Sequence, residues 1–338
     1  MSNRDRVESI ADPVKQGPGP ELRRHMTLAL PRVNPDDSVG DVVFSALRVA
    51  VLRIAGTDAD ARRGDPEGIH RLRTTTRRLR SELLSLENLI DGRWSEHLEA
   101  ELKWLAGRLG EVRDLDILLA RLKKGAQEQY RDGSGEAALA PLFATLEARR
   151  EQAAGSLNDA LRSDRYRSLL ACLEQAAERP ALSDAASEPC RSALPTVAVA
   201  AWRRLKKLGR GLRSSDADAE FHEFRKRAKR VRYTAELIAP IMGRRAARAA
   251  SGFIRLLTQV QDTLGEHQDA AVAAGEIERA LAEHAHDLEF VRGANSLLAS
   301  QHDKADAARQ SFFKVWDKLD RKKSRRWMKT THKARAGA

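Results

Sequence analysis

Two segments 152 residues apart carry the same histidine-led pattern of cations, and this duplication constrains the fold more than any other feature. The first is "HRLRTTTRRLRS" at 70–81 and the second is "HEFRKRAKRVRY" at 222–233. His70, Arg73, Arg78 and Arg80 fall opposite His222, Arg225, Arg230 and Arg232, and Arg77 falls opposite Lys229. Further on, "LGEVRD" at 109–114 matches "LGEHQD" at 264–269, now 155 residues apart. One short insertion therefore separates two copies of a single plan. A repeat this long describes two equivalent helical units, not a solenoid of short ones.

Nearly everything from Ser38 onward has helical periodicity, and no segment alternates at period two over a strand's length. Ser38 reads as the N-cap of a first helix, "SVGDVVFSALRVAVLRIAG", with Gly56 as its stop. Asp65, Pro66 and Glu67 supply a cap, a first-turn proline and an acid at the positive end of the dipole. They open the first cationic helix, which is expected to reach about Ile90. A third helix is expected over about 94–129 with an interruption near "LGEVRD", and a fourth over about 136–161. A shorter one follows in "RSDRYRSLLACLEQAAE", before "RPALSDAASEP", a linker by composition. The second half repeats the plan at about 191–212, then the second cationic helix to about 239, then 244–283 and 287–323. The expected class is all-α, with a first bundle at about 37–178 and a second at about 190–325. Residues 1–36 and 326–338 are expected to be tails, the latter basic.

A helical wheel separates the cations. With His70 at 0°, Arg73, Arg77 and Arg80 fall at about 300°, 340° and 280°, while Leu72, Thr76, Leu79 and Leu83 fall between about 180° and 240°. Arg71 and Arg78 point elsewhere. The second copy places His222, Arg225, Lys229 and Arg232 on the cationic face, with Phe224, Ala228, Val231 and Ala235 on the packing face. Like charges three and four residues apart repel by a few tenths of a kcal/mol per pair. Residues 68–81 contain no acid, so the first face lacks a partner on its own helix. Two copies in register favour a surface built for an anion over a merely solvated one. Neighbouring stripes extend it: Arg48 in the first half, and Arg203, Lys206, Lys207, Arg210 and Arg255 in the second. The net charge of +12 points the same way, towards a polyanionic partner.

At these residues the chain resembles the CHAD family, the conserved histidine α-helical domain. The resemblance rests on "GIHRLRTTTRRLRSEL" and "LGEVRDLDILLARL", and on "FHEFRKRAKRVRYTAELI" and "LTQVQDTLGEHQDAAV". "LRSDRYRSLL" resembles the family segment that closes the first half, and the whole match spans roughly 38–325. The resemblance implies two four-helix bundles related by a pseudo-twofold, with basic residues around a central groove or pore. It also implies binding of inorganic polyphosphate and association with polyphosphate granules. By matched position it assigns the ligand to His70, Arg73, Arg77, Arg80, His222, Arg225, Lys229 and Arg232. "TTT" at 74–76 departs from the more apolar family pattern. The physics agrees, because a chain of phosphates needs arrays of arginine and lysine and offers no base to read.

Other chemistries fare worse. "EAELK" at 99–103 matches the E-x-E-x-K signature of triphosphate-processing enzymes that accompany this family, but it sits in a helical pattern that sends Glu99 and Glu101 apart. Asp114, Asp116, Glu266 and Asp269 read as partners of bundle arginines in preference to metal ligands. No cofactor and no catalytic residue is expected. A nucleic-acid binder is the main rival, with Trp327 the nearest aromatic for base stacking. An adaptor recruiting other granule proteins is a second. Two cysteines, Cys172 and Cys190, suit a reducing cytoplasm, and no run approaches the length of a membrane span.

Overall fold

The computed structural model describes residues 32–130 and 134–328. Of the expected tails at 1–36 and 326–338, residues 1–31 and 329–338 lie outside the described residues. Helices α1 (Val39–Arg62), α2 (Pro66–Ser85) and α3 (Gly92–Gln129) begin the chain, followed by α4 (Ser134–Ala138), α5 (Ala140–Arg162) and α6 (Asp164–Glu178). The second half holds α7 (Cys190–Gly211), α8 (Asp218–Ile241), α9 (Arg244–Glu283) and α10 (Leu288–Leu319). The described residues contain no strand, and the fold is all-α.

The starts follow the sequence signals. Ser38 caps α1 in a capping box with Asp41, Asp65 caps α2 with Pro66 in its first turn, and Ser163 caps α6. Two expected breaks do not occur. Gly56 is not a stop, because the buried stripe continues through Thr57, Asp58 and Ala61, and the chain turns instead at Gly64, whose φ is 77°. The helix through "LGEVRD" is uninterrupted, with Gly110 buried inside it. α2 also ends earlier than expected, at Ser85, followed by a 3₁₀ turn over Glu87–Leu89.

The two halves share their interior. The larger core joins Leu47, Leu72, Leu79 and Leu105 of the first half to Trp202, Phe224, Phe253 and Phe312 of the second. A smaller core closes the far end of the long helices, where Leu122, Phe143 and Leu146 meet Ile277, Phe290 and Leu297. Each fully buried leucine or phenylalanine contributes about 1.5–3 kcal/mol of burial, so neither half keeps its core without the other. Short bridges pair Ser38 with Pro189 and Ile90 with Leu182, stitching the halves at their entries. Cys190 hydrogen-bonds the Ser38 carbonyl there at 3.3 Å, and burial pushes its thiol up to about 12.

The ends of the described chain are docked. Asp36 ion-pairs with Arg191, and the Pro35 carbonyl accepts from the Arg191 backbone amide. Trp327 and Met328, expected in a loose tail, are buried instead. Trp327 lies 5.9 Å from Phe253, and Arg325 lies over Trp202. An indole this size recovers more by filling the core than by facing water.

Candidate functional site

The apolar faces read from the wheel set the site. Leu72, Thr76, Leu79 and Leu83 of α2 are buried, as are Phe224, Ala228, Val231 and Ala235 of α8. The Thr76 hydroxyl satisfies itself on the Leu72 carbonyl at 2.8 Å, which is how a threonine can occupy an apolar position. α2 and α8 then cross, with Ser85 Oγ 2.8 Å from Thr234 Oγ1 and Arg78 reaching Glu236 at 3.3 Å. The crossing brings the cationic faces of the two copies together.

At the centre stand Arg73 and Arg77 from α2 and Arg225 and Lys229 from α8. Arg77 is pushed below its ordinary value by burial, then by Arg73 and Arg225. Lys229 is pushed from 10.5 to about 7 by burial, with Arg77, Arg225, Arg73 and Arg232 all adding to the shift. Neither Arg77 nor Lys229 pairs with a carboxylate among the described residues. Arg73 donates to Asp114 at 2.7 Å, yet its Nε is buried without a partner. Arg225 has a long contact, 3.4 Å, to the Gln261 carbonyl.

The second repeated motif supports these guanidinium groups. A Cβ on Gly110 would stand 3.8 Å from Arg73 Nε, and one on Gly265 would stand 3.2 Å from an Arg225 terminal nitrogen. The glycine of the second "LGE" thus lets Arg225 lie against the helix backbone, whereas at the first a side-chain carbon would make only ordinary contact with Arg73. Four residues on, Asp114 and Asp269 flank the cluster. Burial raises Asp269 above the usual carboxylate range, while Arg225 opposes the rise. These partners, with Gln261 and Gln268, were not among the expected ligand residues. The offset between the two copies of the motif was the signal for them.

The remaining expected residues are not equivalent. Arg80 is held by Glu99, with one contact at 3.2 Å, and Arg232 by Glu236 at 2.9 Å and Gln261 at 3.1 Å. Lys206 and Arg210 both meet Asp320, at 3.3 and 3.4 Å. Arg48 lies over Phe44, 5.1 Å from its ring centre. Arg203, Lys207 and Arg255 are exposed, and no contact joins them to the central cluster. The histidines also differ. His70 is exposed in a groove lined by Arg53, Thr57 and Arg71. His222 is half-buried, its Nδ1 lacks a partner, and burial lowers its pKa against the opposing pull of Gln268.

Of the carboxylates weighed for other chemistry, all but Asp269 are ion-paired with arginines. Glu99 pairs with Arg80, whereas Glu101 takes a two-pronged contact from Arg165 at 2.8 and 3.0 Å. Asp116 meets Arg150 at 2.9 Å and Glu266 meets Arg121 at 2.8 Å. Among the described residues no group of acids, histidines and cysteines could hold a metal ion, and no helix is long and apolar enough to cross a membrane.

The family model of the CHAD domain matches residues 45–278. Two uncharacterized proteins of Mycobacterium tuberculosis, from strains CDC 1551 / Oshkosh and ATCC 25618 / H37Rv, are each 28% identical over 330 residues. The match takes in 90% of this chain and 58% of each relative, so the chain spans little more than half their length. Among solved structures, PptA from Streptomyces chartreusis is similar with a TM-score of 0.70 at 23% identity, covering 83% of this chain and 100% of that one. The CHAD domain of the plant Ricinus communis gives a TM-score of 0.64 at 23% identity, covering 84% and 95%. At these identities the two structures speak for the fold.

Proposed function

Since the chain belongs to the CHAD domain family, we propose that it binds inorganic polyphosphate, without catalysis, on the cationic face shared by α2 and α8. The observation that carries this reading is the convergence of Arg73, Arg77, Arg225 and Lys229 from two halves onto one place, where neither Arg77 nor Lys229 forms an ion pair with a carboxylate among the described residues. Cations held together at that cost are stabilised by a polyanion, which restores the charge on Lys229 and gives the orphaned Arg73 Nε and His222 Nδ1 an acceptor. Arginine forks suit phosphate oxygens, and released counterions contribute much of the affinity. A linear phosphate chain reads alike from either end, so a pseudo-symmetric cluster matches it.

The protein that follows from this reading associates with polyphosphate granules and retains whatever partners gather there. Nucleic acid is the weaker reading. Base stacking needs exposed aromatics, but Tyr233 is buried beneath Arg78 and Arg232, and Trp327 is in the core. The test compares long-chain polyphosphate with single- and double-stranded DNA at matched charge and salt. Tighter binding of polyphosphate is expected, and equal or weaker binding overturns the assignment.

A further inference from the structure

The cations of α8 do not all face α2. Arg230 and Arg227 lie roughly 100° and 160° around the helix from Lys229, on the side that packs against α7. There, with Arg204 of α7, they line a cavity of about 60 Å³. A single water needs only about 10–15 Å³ by this kind of measure. The walls are partly apolar, with Val197, Ala200 and Val231, and the end of α2 and the turn after it close one side with Ser85, Glu87 and Asn88.

The internal duplication supplies a control for what this cavity does. Arg78 is the first-half counterpart of Arg230, and it meets two carboxylates, Glu82 at 2.8 Å and Glu236 at 3.3 Å. The counterpart of Glu82 in the second half is Thr234, whose hydroxyl is already bonded to the Arg230 carbonyl and to Ser85. Glu236 serves Arg78 and Arg232. Arg230 is left with no carboxylate partner among the described residues. Arg227 is held by Glu223 at 2.9 Å and Arg204 more loosely by Glu87 at 3.7 Å. Burial pushes Arg230 below the usual guanidinium range; Arg227 and Arg204 add to this and Glu87 opposes it. The same fold position is therefore neutralised in one half and left cationic, with a cavity beside it, in the other.

We propose that this cavity is a second anion site, in which Arg204, Arg227 and Arg230 hold one phosphate-sized oxyanion. The small volume admits a single tetrahedral group and not a run of them. Arg230 supplies the unpaired fork, and its neighbours release part of their hold on Glu223 and Glu87 to share the ligand. The group is either free orthophosphate or the terminal phosphate of a short chain, which present the same oxygens. The site stands apart from the α2–α8 face and does not depend on what that face binds.

The full chain is titrated with orthophosphate and, separately, with tripolyphosphate, followed by calorimetry and ³¹P line broadening. Arg230→Met and Ala200→Leu, which fills the cavity and leaves every charge in place, are each introduced into a background carrying Arg73→Gln and Arg225→Gln, so that the other face contributes little. Binding weakened about tenfold or more by each change in that background is the expected result. If only tripolyphosphate behaves this way, the bound group is a chain end. In the otherwise unchanged chain, long-chain polyphosphate affinity, set by the other face, should survive Arg230→Met. Saturable binding that persists in that background after both Arg230→Met and Ala200→Leu, or that is absent before either is made, overturns the proposal.

Discussion

Lys229 makes polyphosphate binding depend on pH in a way that can be worked out from its surroundings. In the free protein burial and four guanidinium groups hold it at about 7, against an ordinary 10.5. A bound polyanion stabilises the ammonium, so binding is coupled to uptake of a proton. If the polymer restores the ordinary value in full, affinity falls by nearly tenfold per pH unit above neutrality. Between pH 7 and 9 the loss reaches about 50-fold, or about 2.3 kcal/mol, as an upper limit. Below pH 7 the lysine is already charged in both states and its contribution levels off. The groups that face it, Arg77, Arg225, Arg73 and Arg232, are all guanidinium groups. Calorimetric titration with long-chain polyphosphate at constant ionic strength, in buffers of different ionisation enthalpy, reads both the slope and the proton uptake. Lys229→Arg keeps the charge at every pH and should flatten the slope while retaining affinity. A parent protein whose affinity is flat from pH 7 to 9, or an arginine variant with the parent's slope, would refute this reasoning.

The same lysine carries a cost in stability. Its folded value lies below its unfolded one, so the unfolded chain binds the proton more tightly and stability should rise as pH climbs from about 7 towards 10.5. Lys229→Met should remove that slope and stabilise the free protein at pH 7 by about 1–4 kcal/mol in denaturant melts, while weakening polyphosphate binding. Gly265→Ala presses a methyl against the Arg225 guanidinium, whereas Gly110→Ala leaves ordinary contact with Arg73. The first should weaken binding about two- to fivefold with little change in melting temperature, and the second should be near neutral. Trp327→Ala should cost about 3–5 kcal/mol in chemical denaturation because it opens a cavity beside Phe253. A loss of nucleic-acid binding with unchanged stability would contradict that placement.

The helix faces were legible in the sequence because they depend only on spacing. Leu72, Thr76, Leu79 and Leu83, and their counterparts on α8, are the buried positions that a 3.6-residue period predicts. What joins those faces was not legible. Asp114 reaches Arg73 across 41 positions and Glu236 reaches Arg78 from the other half, distances at which local pattern carries no information. Acids missing from residues 68–81 are therefore supplied by packing, and the wheel could not separate Arg77, which stays unpaired, from Arg80, which does not. Gly56 and Gly110 misled for one reason. Glycine marks a stop where the backbone needs a positive φ, as at Gly64, but inside a helix it can instead serve a close approach, as at Gly265, or neither, and local sequence does not say which. Trp327 was misplaced because its basic neighbours dominate the composition around it. The duplication supplied what local pattern could not, by pointing to two motifs that pack against each other.

A site shared by the two halves behaves as one binding unit. This behaviour is tested most directly by stoichiometry and affinity for long-chain polyphosphate in three charge-reversed proteins: Arg73→Glu with Arg77→Glu, Arg225→Glu with Lys229→Glu, and all four together. A shared site predicts that either pair alone abolishes binding nearly as completely as the four. Two variants that each keep half the bound polymer at parent affinity, with loss only when combined, would mean two independent sites and would contradict the account.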